Sequence, residues 1–358
     1  MTTPRARDLV LDTLTVEQED RVLTVRFYDP PHNFMTARMQ KDLDSLTAAV
    51  DDDTSIGAVV LTGGLPKRYI THFDIAHILA AATHIGRPLS DTALLNLIWG
   101  FAVVGALPGG KQALERSPVR QFLSVTRFND VVLRIMRSPA VYIAAIGGPC
   151  GGAGLELSVC FDVRLAADDD AVGFILPELL IGLTTTVGGQ RLAQLIGPAR
   201  ALEMMLEGRM YSPHEAHQMG LLNRLVPPDH LIEEAQELGA RYARRNRDTI
   251  AAQKKVFNEN LGLNPAESLR RESAANVSTI LSGPAPQALQ TWLDMQRAGN
   301  GESVFLTDLQ SWMRGEVVQL NTPRRALHMV EQTRLARAKV PGQRDDGPLG
   351  GSLRHSSP

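Results

Sequence analysis

The sequence predicts an α/β fold assembled from parallel crossover units and completed by a helical C-terminal part. Three observations predict it. The β-branched segment VLTVRF at 22–27 is followed by helical periodicity from Thr36 and then by the continuous apolar run IGAVVLTG at 56–63; strand, helix and strand in that order form a parallel crossover. The order recurs where FNDVVLRIMRSP at 128–139 leads into VYIAAIGG at 141–148. From Leu231 the pattern is helical to about Leu320.

The first strand enters the turn-rich stretch Asp29, Pro30, Pro31, His32, Asn33. In the helix that follows, Met39, Leu43, Leu46 and Val50 share one face, and Asp51, Asp52 and Asp53 mark its end, against the sense of the helix dipole. Between Leu94 and Leu107 the run LLNLIWGFAVVGAL is apolar but shorter than the roughly 20 residues of a membrane span, which predicts a buried or pocket-lining insert. After the strand at 141–148 a glycine-rich turn leads to a helix beginning near Gly154. Pro198 opens a helix through Leu206, and Ser212, Pro213, His214 and Glu215 form a capping box that starts another, with Gly220 as a stop before LLNRLV. Helical sequence from Leu231 to Ala243 begins the C-terminal part. The expected organisation is a core over 1–260 carrying an insert at 75–127, a helical region over 261–322 and a flexible tail over 323–358 that is rich in Gly, Ser and Pro.

Composition excludes several function classes. The 358 residues carry 37 Lys plus Arg against 39 Asp plus Glu, so no global field favours nucleic acid or an anionic membrane. Cys150 and Cys160 form no CxxC pair and have no His at ligand spacing, which argues against disulfides and a bound metal. The N-terminal Met1 to Asp8 is charged and lacks an apolar stretch, so a cytoplasmic location is expected.

Familiar catalytic motifs are incomplete. GALPGGK at 105–111 copies much of a phosphate-binding loop, but Gln112 stands where a Ser or Thr would ligate magnesium and Pro108 removes an amide. GGPCGGAG at 147–154 follows a strand and opens a helix, yet its glycines miss the GxGxxG register. No GxSxG elbow and no HExxH pair occurs, and His214 and His217 flank a capping Glu. What remains is a strand, a turn crowded with small residues and a helix with Glu156 in its first turn, then Pro177 and Glu178 in an apolar stretch. Such a turn, with free amides at a helix start, suits an oxyanion. Taken singly, Glu156 reads as a dipole partner and Pro177 with Glu178 as a loop dipeptide.

Together these segments resemble the crotonase (enoyl-CoA hydratase/isomerase) superfamily over about residues 20–260. IAAIGGPCGGAGLELSVCFDVRLAA at 143–167 looks like the family's second oxyanion segment, with Asp162, Arg164 and Ala166 on its trailing D-x-R-x-A. Thr71, His72, Phe73 and Asp74 stand where its first segment, S-G-x-D, is expected. LPELLIGLTTTVGGQRLAQLIG at 176–197 resembles P-E-x-x-x-G followed by a G-G-x-x-x-L helix, and GRMYSPHEAHQMGLLNRLVP at 208–227 matches the most specific fold marker.

The resemblance implies a crotonase-like spiral of repeated ββα units with a helical C-terminal region that assembles homotrimers or homohexamers. It implies oxyanion donors at the N–H groups of Phe73 and Ala153, and catalytic Glu156 and Glu178 that hold water and move protons. The reaction implied is water addition to a 2-enoyl-CoA. Coenzyme A enters as part of this acyl-CoA thioester, with no separate cofactor and no metal. Rival readings are an isomerase, a hydrolase of a thioester or of a β-diketone C–C bond with His72 as base, and a non-catalytic acyl-CoA-binding subunit. Three departures mark this chain: His72 replaces a glycine, Phe34 a small residue, and the stretch from Ile75 to Arg127 exceeds the family norm. If position 72 required positive φ, His72 would be strained. His72, Trp99 and Phe101 are the candidate pocket residues.

Overall fold

The sheet starts with a hairpin. In the computed structural model, β1 (Leu14–Glu19) pairs antiparallel with β2 (Val22–Phe27), Leu14 opposite Phe27, and Asp20 turns the chain with φ 47°. The structure describes residues 5–85, 90–105, 107–117, 123–281 and 283–318, all within one compact unit, Met1–Asn321. The tail expected at 323–358 lies outside the described residues.

Helix α1 (Ala37–Asp52) begins where the Thr36 side chain accepts the Met39 N–H, and it buries Met39, Leu43, Leu46 and Val50 on the face that the spacing predicts. The acidic residues at its end have local partners: Ser138 Oγ donates to Asp51 at 2.6 Å and Ser55 Oγ to Asp53 at 2.6 Å. The crossover returns in β3 (Ala58–Gly63), parallel to β2 with Val22 opposite Ala58. Four helices come next: α2 (Ile75–Ile85), α3 (Asp91–Gly105), α4 (Gly110–Glu115) and α5 (Leu123–Arg137). The segment that imitates a phosphate loop is the turn that opens α4, whose Lys111 Nζ lies 3.2 Å from Asp44 of α1.

β4 (Val141–Ile146) pairs parallel with β3, and the short β5 (Cys150–Gly151) leads into α6 (Ala153–Ser158). β6 (Val163–Ala167) joins the main sheet beside β4, while β7 (Phe174–Ile175) pairs with β5 in a second, two-stranded sheet. After α7 (Gly188–Ile196), α8 (Pro198–Glu207) and α9 (Pro213–Gln218), β8 (Arg224–Val226) completes the order β1-β2-β3-β4-β6-β8. Each parallel strand lies beside the one laid down before it, so the chain advances like a spiral. The capping box at Ser212 and Glu215 is formed in full, and Gly220 takes φ +84° as the stop.

Helix α10 (Leu231–Tyr242) covers the sheet through Leu231, Ala235, Leu238 and Gly239. α11 (Arg247–Glu259) packs on α5 and α12 (Pro265–Ile280) on α11, followed by α13 (Ala285–Ala298), α14 (Val304–Thr307) and α15 (Leu309–Arg314). Among the described residues no helix is long and apolar enough to cross a membrane.

The D-x-R-x-A run is structural. Asp162 Oδ2 accepts the Tyr142 N–H and the Lys254 ammonium, each at 2.8 Å. The buried Arg164 donates Nε to Leu221 O at 2.7 Å and NH1 to Phe161 O at 2.8 Å, tying α6, β6 and the approach to β8 together. Replacing Arg164 by Leu leaves these buried carbonyls unpaired. Urea unfolding should then show a loss of about 3 kcal/mol, and a loss below about 0.5 kcal/mol would mean that water takes over the guanidinium's role.

Candidate active site

The turn from Cys150 to Gly154 closes onto residues 70–72. Gly151 N–H donates to Ile70 O at 3.1 Å and Gly152 N–H to Ile175 O at 3.0 Å. Gly152 has φ +43°, and a Cβ there would stand 3.3 Å from His72 Cα and 3.2 Å from Glu178 Oε1, so both conformation and space demand glycine. Ala153 is the first residue of α6, and its N–H therefore has no acceptor within the helix.

Phe73 makes a one-residue parallel bridge with Met35: Met35 N–H donates to His72 O at 2.9 Å and Asp74 N–H to Met35 O at 3.2 Å. This pattern uses groups of residues 72 and 74 and turns the Phe73 N–H to the side away from Met35. Asp74 caps α2 through its Oδ1, 3.0 Å from Ala76 N.

Glu156 follows Ala153 by one turn and is 1% exposed. Its Oε1 accepts the Thr186 N–H at 2.6 Å, while its Oε2 is buried without a hydrogen-bond partner among the described residues. Burial pushes this carboxyl up to about 7, against the pull of the amides of Thr186, Val187 and Gly188, and the nearby Glu178 carboxylate adds to the rise. Glu178 opens a single-turn helix, Glu178–Ile181, and its Oε2 is likewise buried and unpaired. Burial raises its pKa as well. The repulsion falls chiefly on Glu156, the more deeply buried of the two. Gly188 makes the approach possible: a Cβ there would come within 2.7 Å of the Glu156 Cα and Cγ.

His72 is free of the strain that positive φ would bring: the described non-glycine residues with positive φ are Asp20, Asn33, Lys67 and Asn300. Its Nδ1 lies 2.6 Å from Phe73 O, and its ring stacks on Phe34 at 4.2 Å between centroids, with His32 also stacked on Phe34 at 5.0 Å. Two departures from the family pattern, His72 and Phe34, are thus one packed unit.

A cavity of about 70 Å³ lies between Phe73 and Thr186, walled by Met35, Ile78 and Phe128. It joins the two halves of the site, because Thr186 holds Glu156. The structure does not bring Trp99 and Phe101 to this cavity. Trp99 is 65% exposed on α3, in company with the exposed Leu95 and Val103, and Phe101 is 5% exposed and lines a separate cavity of about 450 Å³ with Asp44 and Arg134. The expectation that the 94–107 run is a buried or pocket-lining insert holds for Phe101 and not for Trp99: Leu94 and Leu97 are half-buried, and Leu95, Ile98, Trp99, Val103 and Leu107 are exposed, because α4 and α5 cover only one side of the helix. One site residue escaped the sequence reading, Thr186. Thr186 acts through its backbone amide, for which side-chain identity carries no signal.

The enoyl-CoA hydratase/isomerase family model matches residues 110–295. A probable enoyl-CoA hydratase from Rhizobium meliloti (strain 1021) is 30% identical over 263 residues, 73% of this chain and 87% of that protein. A crotonyl-CoA hydratase from Syntrophomonas wolfei is 22% identical over 293 residues, 81% of this chain and 98% of that one. Among solved structures, the enoyl-CoA hydratase from Bacillus anthracis superposes with a TM-score of 0.63 at 21% identity, covering 79% of this chain and 97% of that one. A Thermobifida fusca YX protein solved in complex with CoA gives 0.60 at 24% identity, with 78% and 97% covered. The chain therefore belongs to the enoyl-CoA hydratase/isomerase family, and it is an enzyme of the crotonase type with the crotonase fold.

The raised carboxyl of Glu156 fixes the sign of a pH effect. Between its ordinary value of 4.5 and about 7 the folded protein binds more protons at this site than the unfolded chain, so the associated stability is present below 4.5 and is lost as pH rises to 7. Across that interval wild-type unfolding free energy should fall by about 3 kcal/mol relative to Glu156→Gln. Parallel pH profiles in urea would show the carboxyl to be unperturbed.

Proposed function

We propose that the protein adds water to the double bond of a 2-enoyl-CoA thioester. The observation that carries this reading is the pair Glu156 and Glu178, each with one buried, unpaired carboxyl oxygen beside the glycine turn. Two such oxygens suit a water held between them. In the reaction, one carboxylate takes a proton from water as its oxygen bonds to the β-carbon, and the other carboxyl delivers a proton to the α-carbon. Between these events the thioester oxygen carries enolate charge. The N–H groups of Phe73 and Ala153 are the proposed donors to it, both left without an acceptor by their local geometry. Net addition is H and OH, and the pair of glutamates recovers its proton inventory.

Names of relatives support the class of substrate: an enoyl-CoA hydratase and a crotonyl-CoA hydratase are among them. Hydrolysis is the second reading, favoured by His72. With Nδ1 2.6 Å from Phe73 O, this ring donates from Nδ1 and offers Nε2 as a base. The two reactions differ in product: hydration removes the conjugated chromophore and keeps the thioester, whereas hydrolysis releases a free thiol.

Assembly into a homotrimer or homohexamer belongs to the same proposal. Leu269 and Val277 of α12, Leu289 and Leu293 of α13, and Phe305 of α14 are all exposed, more apolar surface than a single chain covers. Light scattering at micromolar concentration should give three or six chains, and a monomer would refute it. Glu156→Gln and Glu178→Gln should each lower kcat on but-2-enoyl-CoA by about a hundredfold or more while circular dichroism stays native. Near-normal chromophore loss by either variant would remove the two-carboxylate mechanism.

A further inference from the structure

The small cavity between Phe73 and Thr186 contains a polar group that hydration does not use. Its walls are mostly apolar, but Gln40 reaches it from α1. Gln40 is 3% exposed, and its Oε1 is buried with no hydrogen-bond partner among the described residues. A buried amide oxygen of this kind calls for a partner in the working state. We propose that the acyl group of the substrate is short and ends in a hydroxyl that pairs with Gln40, an inference that rests on the thioester reading above.

Size supports the first half. A water needs about 10–15 Å³ of such space, so a cavity of about 70 Å³ admits a group of only a few heavy atoms. Charge and hydrogen bonding support the second. Asp74 lies on the wall with His77 as its one basic neighbour and no Lys or Arg, so an acyl carboxylate would meet a like charge and no permanent cation. An ammonium would lose its water among Met35, Ile78 and Phe128, facing a carboxylate whose Oδ1 already takes the Ala76 and His77 N–H groups at 3.0 and 3.4 Å. An alkyl end would seal Gln40 in without a partner. A hydroxyl both donates and accepts, so it pairs with whichever end of the carboxamide faces the cavity.

The test uses the full-length protein and calorimetric titration with four saturated thioesters, which hydration cannot consume: butyryl-CoA, 4-hydroxybutyryl-CoA, succinyl-CoA and 4-aminobutyryl-CoA, each freshly prepared in mildly acidic buffer to slow its cyclisation and assayed for free thiol before and after titration. The hydroxyacyl thioester should bind at least about tenfold more tightly than butyryl-CoA, with the charged pair weaker than either. Gln40→Met, similar in volume and without the amide, should abolish the hydroxyl preference while keeping affinity for butyryl-CoA. Equal binding of the butyryl and hydroxybutyryl thioesters, tightest binding of a charged one, or a preference that survives Gln40→Met would each overturn the proposal. Should Gln40→Met fail to fold, the wild-type ranking decides alone. Absence of a hydroxyl preference in wild-type protein that hydrates enoyl-CoA sinks only this inference, whereas absence of binding by all four thioesters sinks the thioester reading with it.

Discussion

The Glu156 carboxylate sits 1% exposed with one oxygen on the Thr186 amide at 2.6 Å and the other unpaired, and the surrounding structure is arranged to tolerate that placement. A buried carboxyl with half its hydrogen-bonding capacity unused opposes folding. It persists because α6 starts at Ala153, which puts residue 156 in the first helical turn, and because the 185–188 segment brings amides to it. Both conditions require glycine: at 152, where the chain turns with φ +43°, and at 188, where any Cβ would collide with Glu156 itself. The crowding of small residues around the site is thus a steric consequence of a buried acid rather than a general taste for flexible loops.

Stability and chemistry are separated along the same stretch of chain. Ala153 and Glu156 border the candidate site, while Ser158 Oγ returns to Gly154 O at 2.7 Å and meets the Tyr69 hydroxyl at 3.1 Å, fastening the short helix to the segment that precedes Phe73. A few residues on, Asp162 and Arg164 are committed to Tyr142, Lys254 and backbone carbonyls of the framework. A six-residue helix is too short to hold its own position. Its rigidity comes from these side-chain ties and from burial of all six of its residues.

Much of this was legible in the residues, and the exceptions have physical causes. The buried face of α1 and the capping box at Ser212 follow periodicity and cap chemistry, and the strands at 22–27, 58–63 and 141–146 follow their apolar runs, because strands covered on both sides are apolar at nearly every position. β1 is hidden because LTVEQE lies at the sheet edge with half its residues toward solvent, leaving only Leu14 and Val16 as apolar signal. Glu156 and Glu178 were found by register, but their burial and closeness depend on a loop, 185–188, whose contribution is made by backbone. The stacking of His72 on Phe34 joins positions 38 residues apart and reads in sequence as two unrelated departures.

The long stretch between Phe73 and the glycine turn at 150–154 divides by distance from the candidate site. Its first turn belongs to the site: Asp74 caps α2, and His77 and Ile78 border the cavity that also touches Phe73. Its later part belongs to the framework, where Lys111 meets Asp44 at 3.2 Å and Arg127 meets Glu115 at 2.9 Å. These exposed pairs contribute little on their own, so the docking of α3 and α4 depends on Phe101 and on the face of α5 beneath them. The apolar α3 can therefore lie one helix beyond the candidate site without lining the cavity at Phe73. From this stretch, among the described residues, it is the first turn of α2, anchored by Asp74, that borders the cavity, beside Met35 and Thr186 from elsewhere in the chain.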